Sequence, residues 1–180
     1  MNTFYRIIYI MLWVLLALFL IKAFFAVLLV GFLVLCLHSW SIKKDPRNTI
    51  FLKGSVPNPK LDGVYRGIFL GYSSSWKGKK LNAIDSTGIN MFAGHKSAPD
   101  SNDQVEKYPF KTYIGKGLVD KNLDVLKIDY NLLGNPFWLK WIVDEVVQIA
   151  PNEYLGKMHL NIIPGFPFSL LYFQLSKRSE

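Results

Sequence analysis

The sequence predicts an all-β domain, a small antiparallel barrel, preceded by one membrane-spanning helix at the amino terminus. Two observations lead to this prediction: a long apolar segment begins the chain, and short stretches of alternating apolar and polar residues follow it. Turn-forming residues separate these stretches, as is typical of antiparallel sheets. The predicted organisation is an anchor over 1–40, a linker over 41–60, the barrel over 61–176 and a tail over 177–180.

The amino-terminal segment from Ile7 to Leu37 contains a single fully charged residue, Lys22. As a helix it would be about 46 Å long, whereas the hydrocarbon layer of a bilayer is ~30 Å thick. We therefore expect one tilted, single-pass helix whose Lys22 amine reaches the headgroups. A hairpin of two half-length spans and a cleaved signal peptide are the alternatives, but the segment is longer than the apolar part of typical signal peptides.

Basic residues near the apolar segment predict its orientation. They are more frequent after the segment than before it, which favours a cytoplasmic location for the carboxyl-terminal domain. Lys43, Lys44, Arg47 and Lys53 follow the segment, and Arg6 precedes it. The single cysteine, Cys36, lies within the segment, so the chain can form no intramolecular disulfide, in agreement with a reducing compartment.

Two tight clusters of basic residues, Lys43–Lys44 and Lys77–Lys80, stand out in a chain with a net charge of +8. Attraction to anionic lipid headgroups explains both clusters more simply than a nucleic-acid site does. No helix-turn-helix, zinc or RNA-binding motif accompanies the charge, so we expect no nucleic-acid partner.

Alternation of apolar and polar residues predicts the strands. It is clearest over Val64–Tyr72 and Leu126–Asn131. Similar short runs occupy 89–92, 108–118, 143–149, 154–163 and 168–175. Asn135–Pro136 is a helix-start signal and predicts a short helix or a turn over 135–141. About eight short strands with little helix favour a barrel over a sandwich.

The chain contains no recognised catalytic motif. It lacks a phosphate loop, a dinucleotide fingerprint, a nucleophile elbow and a histidine pair at metal-binding spacing; His95 and His159 are isolated. We therefore predict no metal and no cofactor, and an enzyme is less favoured than a binding protein.

One predicted hairpin places a carboxylate among apolar side chains. A four-residue loop over Ala150–Glu153 would pair Glu145 with Met158 on a face that is otherwise apolar. The opposite face would pair Asp144 with His159 and be exposed to water. A carboxylate on an inner face needs a cation or a ligand, so Glu145 is a candidate site residue; a position at the barrel rim is the alternative. A loop one residue longer or shorter would exchange the two faces.

Three segments carry a resemblance to a known family. Leu61-Asp-Gly-Val-Tyr-Arg-Gly67 resembles the opening of the small lipocalin-like domains named after a Gly-x-Trp-x-Gly motif, with Tyr65 in place of the tryptophan. Trp76-Lys-Gly-Lys79 is similar to the Trp-x-Gly-Lys that follows in that family, and the stretch from Asp144 to Gly156 is similar to its later partner segment. The resemblance implies a lipocalin-like barrel that encloses an apolar ligand.

The predicted function is the binding or shuttling of an apolar molecule, such as a fatty acid, lipid, isoprenoid or pigment, taken from the adjacent membrane lipids. An eight-stranded barrel can hold one small ligand, and aromatic side chains line apolar pockets. Gly63, Gly67 and Gly71, on one side of a strand, would bend it or leave space for a ligand. The predicted pocket residues are Tyr65, Phe69, Trp76, Glu145 and Tyr154.

Two other functions stay open. One is an assembly or scaffolding factor that holds another membrane protein through Phe137, Trp138 and Trp141. The other is an enzyme on a lipidic substrate that uses Glu145, or the pair Asp144 and His159, as acid and base.

Overall fold

The structure is a computed structural model that describes residues 3–94 and 104–177. The chain divides between His38 and Ser39 into two compact units. Helix α1 runs from Thr3 to Lys44, so it supplies the whole of the first described unit and the first residues of the second. The candidate histidine His95 lies outside the described residues.

Helix α1 is 42 residues long and none of its side chains is buried. By length and composition it is able to cross a membrane, a property that it shares with amino-terminal signal sequences. It ends at Lys44 because Asp45 and Pro46 begin a second helix, α2, over Pro46–Lys53. The Asp45 carboxylate caps α2 by accepting a hydrogen bond from the Arg47 backbone N–H, and proline is well suited to the first helical turn.

Eight antiparallel strands form a closed barrel in which each strand pairs with the next along the chain and β8 pairs with β1. The prediction of an eight-stranded barrel after an apolar helix is confirmed. The strands are β1 Gly63–Phe69, β2 Trp76–Asn82, β3 Thr87–Ala93, β4 Gln104–Lys116, β5 Asp124–Asp129, β6 Ile142–Ala150, β7 Glu153–Leu160 and β8 Phe168–Lys177.

Strand β2 is the one strand that alternation did not predict. Its sequence, WKGKKLN, has three lysines in seven residues, so it reads as a polar loop. The segment over 135–141 contains a single 3₁₀ turn, Leu139–Trp141. Within the predicted linker, α2 packs on the barrel through Phe51, which is fully buried.

Two hydrophobic clusters lie on opposite sides of the sheet. The hydrophobic core inside the barrel fills most of it and includes Tyr65, Phe110, Val146 and Phe173. A smaller hydrophobic core on the outer face joins Phe51 of α2 to outward-facing strand residues, among them Val147, Leu155 and Tyr172. Because successive residues of a strand point to opposite faces, neighbouring residues of β6 belong to different hydrophobic cores.

Candidate functional site

One end of the barrel interior contains a cavity of about 270 Å³. It lies at the end where β1, β3, β5 and β7 finish and β2, β4, β6 and β8 begin. Trp138, which is half exposed, lines the cavity and marks its mouth. The lining is mostly apolar and aromatic, with contributions from Phe69, Trp76, Phe92, Tyr108, Ile142 and Met158.

Two features position Trp76 in the cavity wall: its ring stacks on Phe69, and Gly67 leaves space for it. Its ring stacks on Phe69 at a centroid distance of 4.6 Å. A Cβ atom at Gly67 would lie 2.4 Å from the Trp76 ring, a distance at which the two could not coexist. The space that Gly67 leaves beside its strand is therefore occupied by Trp76.

A buried polar group of five residues borders the same cavity; we call Trp76, Lys79, Asn90, Tyr130 and Asp144 the inner cluster. The Lys79 Nζ atom lies 2.9 Å from Asp144 Oδ2 and 2.9 Å from Asn90 Oδ1, and it also donates to the Tyr130 hydroxyl. The Trp76 indole N–H donates to Asn90 Oδ1, and the Tyr130 hydroxyl donates to Asp144 Oδ2.

The inner cluster is strongly removed from water. The side chains of Lys79 and Asp144 are 2% and 1% exposed. Burial lowers the pKa of Lys79, and the nearby Asp144 carboxylate opposes that shift. Burial, with the Asp144 charge as a second cause, raises the pKa of Tyr130 well above its ordinary value.

Aromatic rings surround the Lys79 amine. The centroids of the Trp76, Phe110, Tyr130 and Phe173 rings lie between 5.1 and 5.4 Å from Nζ. Ring faces carry negative potential, so they compensate for part of the hydration that an ammonium group loses here.

One atom of the inner cluster has no partner. Asp144 Oδ1 is buried, and no donor among residues 3–94 and 104–177 reaches it. Asp144 also forms part of the cavity wall. A buried carboxylate oxygen of this kind is expensive to leave without a donor, so it can attract a donor group that enters the cavity.

The predicted pocket residues separate into three groups. Phe69 and Trp76 line the cavity. Tyr65 and Tyr154 face the barrel interior, where their rings contact each other at a centroid distance of 5.6 Å, but neither lines the cavity. Glu145 lies on the outer face of the sheet.

The predicted register of the hairpin between β6 and β7 is wrong by one residue. Asp144 pairs with Met158 and Glu145 pairs with Lys157, because an irregularity between Gln148 and Ala150 shifts the pairing. The shift exchanges the two faces, so Asp144 points into the barrel and Glu145 points out. Asp144 and His159 therefore lie on opposite faces and do not form the predicted acid–base pair, and neither face is exposed at these positions.

Glu145 is fully buried even though it faces outward, because the connection between β4 and β5 covers it. Its Oε1 atom accepts a hydrogen bond from the Leu118 backbone N–H and lies 3.9 Å from Lys127 Nζ. Its Oε2 atom lies 3.2 Å from His159 Nε2, and His159 Nδ1 is 3.3 Å from the Ser169 hydroxyl. The hydrogen bond from Leu118 attaches the connection between β4 and β5 to the barrel surface, and the other contacts join Glu145 to neighbouring strands.

A second buried polar group attaches α2 to the barrel; we call Asn48, Asp120, Lys157 and Tyr172 the outer cluster. Lys157 Nζ lies 2.7 Å from Asp120 Oδ2 and 2.8 Å from Asn48 Oδ1. The Tyr172 hydroxyl donates to the same Asn48 oxygen. Burial is the main cause that raises the pKa of Tyr172, and the charge of Asp120 adds to it.

Sequence reasoning missed most of the inner cluster. The interpretation of Lys77–Lys80 as a headgroup-binding surface is wrong for Lys79, which is 2% exposed inside the barrel. The pairing of Lys79 with Tyr65 places both on the inner face. One signal could have found it: Lys79 and Leu81 are two apart in one strand and so share a face. The tryptophan at the start of β2 gives no such signal, because a bulge between Trp76 and Gly78 shifts the alternation.

No family model, no curated protein and no solved structure matched this chain. The resemblance to the Gly-x-Trp-x-Gly family stays a prediction.

Proposed function

We propose that this protein is anchored in a membrane by α1 and binds an apolar ligand from that membrane in the cavity of its barrel. The observation that carries the proposal is the cavity of about 270 Å³ inside the barrel, lined by aromatic and aliphatic side chains. Apolar surfaces that enclose such a volume favour a ligand of matching chemistry.

The cavity volume limits what can be enclosed. An apolar cavity of about 150 Å³ accommodates benzene, so this cavity accommodates about ten non-hydrogen atoms. A lipid would place one end in the cavity while the remainder extends through the mouth beside Trp138. This geometry suits exchange with a bilayer better than transport of a fully enclosed molecule through water.

The barrel end that contains the mouth supports access from a bilayer. Ser39, the first residue of the barrel unit, accepts a hydrogen bond from the Ser169 backbone N–H near the start of β8, so the chain enters the unit at this end. Large apolar side chains are exposed in two of the connections there, between β5 and β6 and between β7 and β8. We call the following six the apolar rim: Leu133, Phe137, Trp138, Trp141, Ile162 and Ile163. Aromatic and aliphatic side chains of this type suit the interfacial region of a bilayer.

The anchor and its orientation are part of the proposal. Helix α1 has the length and composition of a membrane span, and the basic residues that follow its apolar segment favour a cytoplasmic barrel. Lys44 lies 3.6 Å from the centroid of the Trp40 ring, which combines an aromatic and a basic group at the end of the apolar segment. Such pairs are suited to the headgroup region.

The test uses the full chain purified in mild detergent. Native mass spectrometry should detect one apolar molecule bound per protein. M158W should lower the bound fraction at least several-fold, because the indole would occupy the cavity. I84W is the matched control, since Ile84 is 93% exposed in the turn between β2 and β3. A protein without bound or exchangeable lipid, or equal occupancy in both variants, would overturn the proposal.

The apolar rim also favours a second candidate, an assembly factor for another membrane protein. Phe137 is 71% exposed and Trp141 is 38% exposed, and their rings contact each other at a centroid distance of 5.8 Å. Neither lines the cavity, so F137A/W141A separates the two functions. Loss of a stoichiometric crosslinked protein partner, with lipid binding retained, would favour the assembly role.

The enzymatic alternative has less support. Glu145 lies on the opposite side of the sheet from the cavity, and the residues that contact it belong to the outer surface and the connection between β4 and β5. An acid or base for a ligand in the cavity would have to come from the inner cluster.

A further inference from the structure

The hydrogen-bond donors of the inner cluster are fully used. Lys79 Nζ has three hydrogens and three oxygen partners, which belong to Asn90, Tyr130 and Asp144. The Asn90 amide nitrogen donates to the Tyr108 carbonyl oxygen and to the Tyr130 hydroxyl. The indole of Trp76 and the hydroxyl of Tyr130 each have one hydrogen, and each donates it within the cluster. The cluster therefore has no donor left for a ligand.

One hydrogen-bond acceptor of the inner cluster has no donor among the described residues. Asp144 Oδ2 accepts from both Lys79 and Tyr130, whereas Oδ1 accepts from none of the described residues. Asp144 is 1% exposed and borders the cavity. A ligand group that donates a hydrogen bond to Oδ1 would remove the cost of leaving this oxygen unpaired.

The charge of the inner cluster further restricts the class of ligand that fits the cavity. Lys79 and Asp144 form an ion pair whose net charge is zero, and a proton transfer within the pair would leave that sum unchanged. A carboxylate or an ammonium ion in the cavity would add an uncompensated charge among aromatic rings, which is costly in an apolar environment. The polar end of a ligand that fits this cavity is therefore neutral and carries a hydrogen-bond donor.

We propose that the cavity binds the hydroxyl end of a neutral lipid alcohol, whose O–H donates to Asp144 Oδ1 while the adjacent hydrocarbon contacts Phe69, Trp76 and Met158. The inference rests on the proposed lipid-binding function and narrows it. Among the ligand classes considered from the sequence, it disfavours ionised fatty acids.

The test compares three probes of similar size on the full chain in neutral phosphatidylcholine nanodiscs. 1-Decanol donates a hydrogen bond, 1-methoxynonane only accepts, and decanoate is an anion. We expect decanol to bind at least about tenfold more tightly than either of the others, because only decanol pairs Asp144 Oδ1. Competition between the probes, measured by native mass spectrometry, gives the ratios of their affinities. The signal from M158W, whose cavity is filled, is subtracted to correct for probe dissolved in the bilayer.

A substitution tests the role of Asp144. In D144N the amide oxygen keeps the contact with Lys79, so the amide nitrogen takes the place of Oδ1 and offers a donor. The preference for decanol over methoxynonane should then fall to about one. Retention of the wild-type preference in D144N would overturn the inference.

The wild-type probe series decides the inference even if D144N fails to fold. Equal binding of the three probes, or a preference for decanoate, would overturn the inference while leaving lipid binding in place. Binding of no probe above the M158W level would overturn the proposed function itself.

Discussion

The inner and outer clusters are built from the same kind of parts, a buried lysine, a carboxylate, an asparagine and a tyrosine, yet they differ in what surrounds them. The outer cluster joins α2, the connection between β4 and β5, and two strands, and none of its buried side-chain atoms lacks a hydrogen bond to a described residue. The inner cluster joins three strands and Tyr130, the residue directly after β5; it borders a cavity and leaves Asp144 Oδ1 without a donor among the described residues.

The two faces of the sheet differ in how their buried polar groups are satisfied. Asp144 and Glu145 are neighbours in β6, but one points to the cavity and the other to a covered outer surface. A polar group that is satisfied by elements outside the sheet stabilises their attachment. A polar group that is incompletely satisfied beside an open volume is available for a ligand.

The largest expected effect comes from removal of the inner cation. K79M leaves the Asp144 carboxylate buried without its ion pair, and we expect a loss of about 3–5 kcal/mol in the free energy of unfolding. The double variant K79M/D144L should recover most of this loss, because no unpaired charge remains. Urea unfolding of the full chain in detergent, monitored by tryptophan fluorescence, measures the free energy of unfolding of both variants. Equal stability of K79M and the wild type would contradict this account of the inner cluster.

The sequence alone predicted the barrel because burial on one face imposes alternation, which is strong in β1 and β5. It could not predict the inner cluster for a physical reason. Lys79 interrupts the apolar pattern of β2, and most of the groups that make its burial tolerable, among them the Asp144 carboxylate and the ring of Phe110, are distant from it in sequence. The assignment of Asp144 and Glu145 to faces failed because one irregular residue near the turn reverses a whole strand.

A smaller effect is expected from removal of the outer cation. K157M leaves Asp120, but that side chain is 12% exposed and can be hydrated, so we expect a loss of about 1–3 kcal/mol. The loss should be local: amide hydrogen exchange in α2 should accelerate, while decanol binding is retained. K121M, at an exposed lysine of the same connection, is the control. Unchanged exchange in α2, or loss of ligand binding, would show that the two clusters do not divide the roles as described.

The smallest effect is in the pH dependence of stability at alkaline pH. The pKa values of Tyr130 and Tyr172 are raised by burial and by nearby carboxylates. Each tyrosine therefore contributes stability that is fully present below its unfolded pKa of about 10 and is lost as pH rises through its higher folded pKa. Lys79 acts in the opposite direction, since its lowered pKa makes stability increase with pH up to its ordinary value of 10.5.

The tyrosine contributions are thus best separated above about pH 10.5, where the lysine contribution has levelled off. In that range Y130F and Y172F should each make the decline in the free energy of unfolding less steep. Y130F should do so more, because Tyr130 is enclosed beside Asp144, whereas the Tyr172 hydroxyl lies at the junction with α2. Denaturant unfolding at a series of alkaline pH values, with tyrosinate absorbance recorded in parallel, measures the slopes. If the free energy of unfolding declined with pH in both variants as steeply as in the wild type, neither hydroxyl would be held neutral by the fold. If Y172F reduced the slope more than Y130F, the outer cluster would exclude water more completely than the inner cluster.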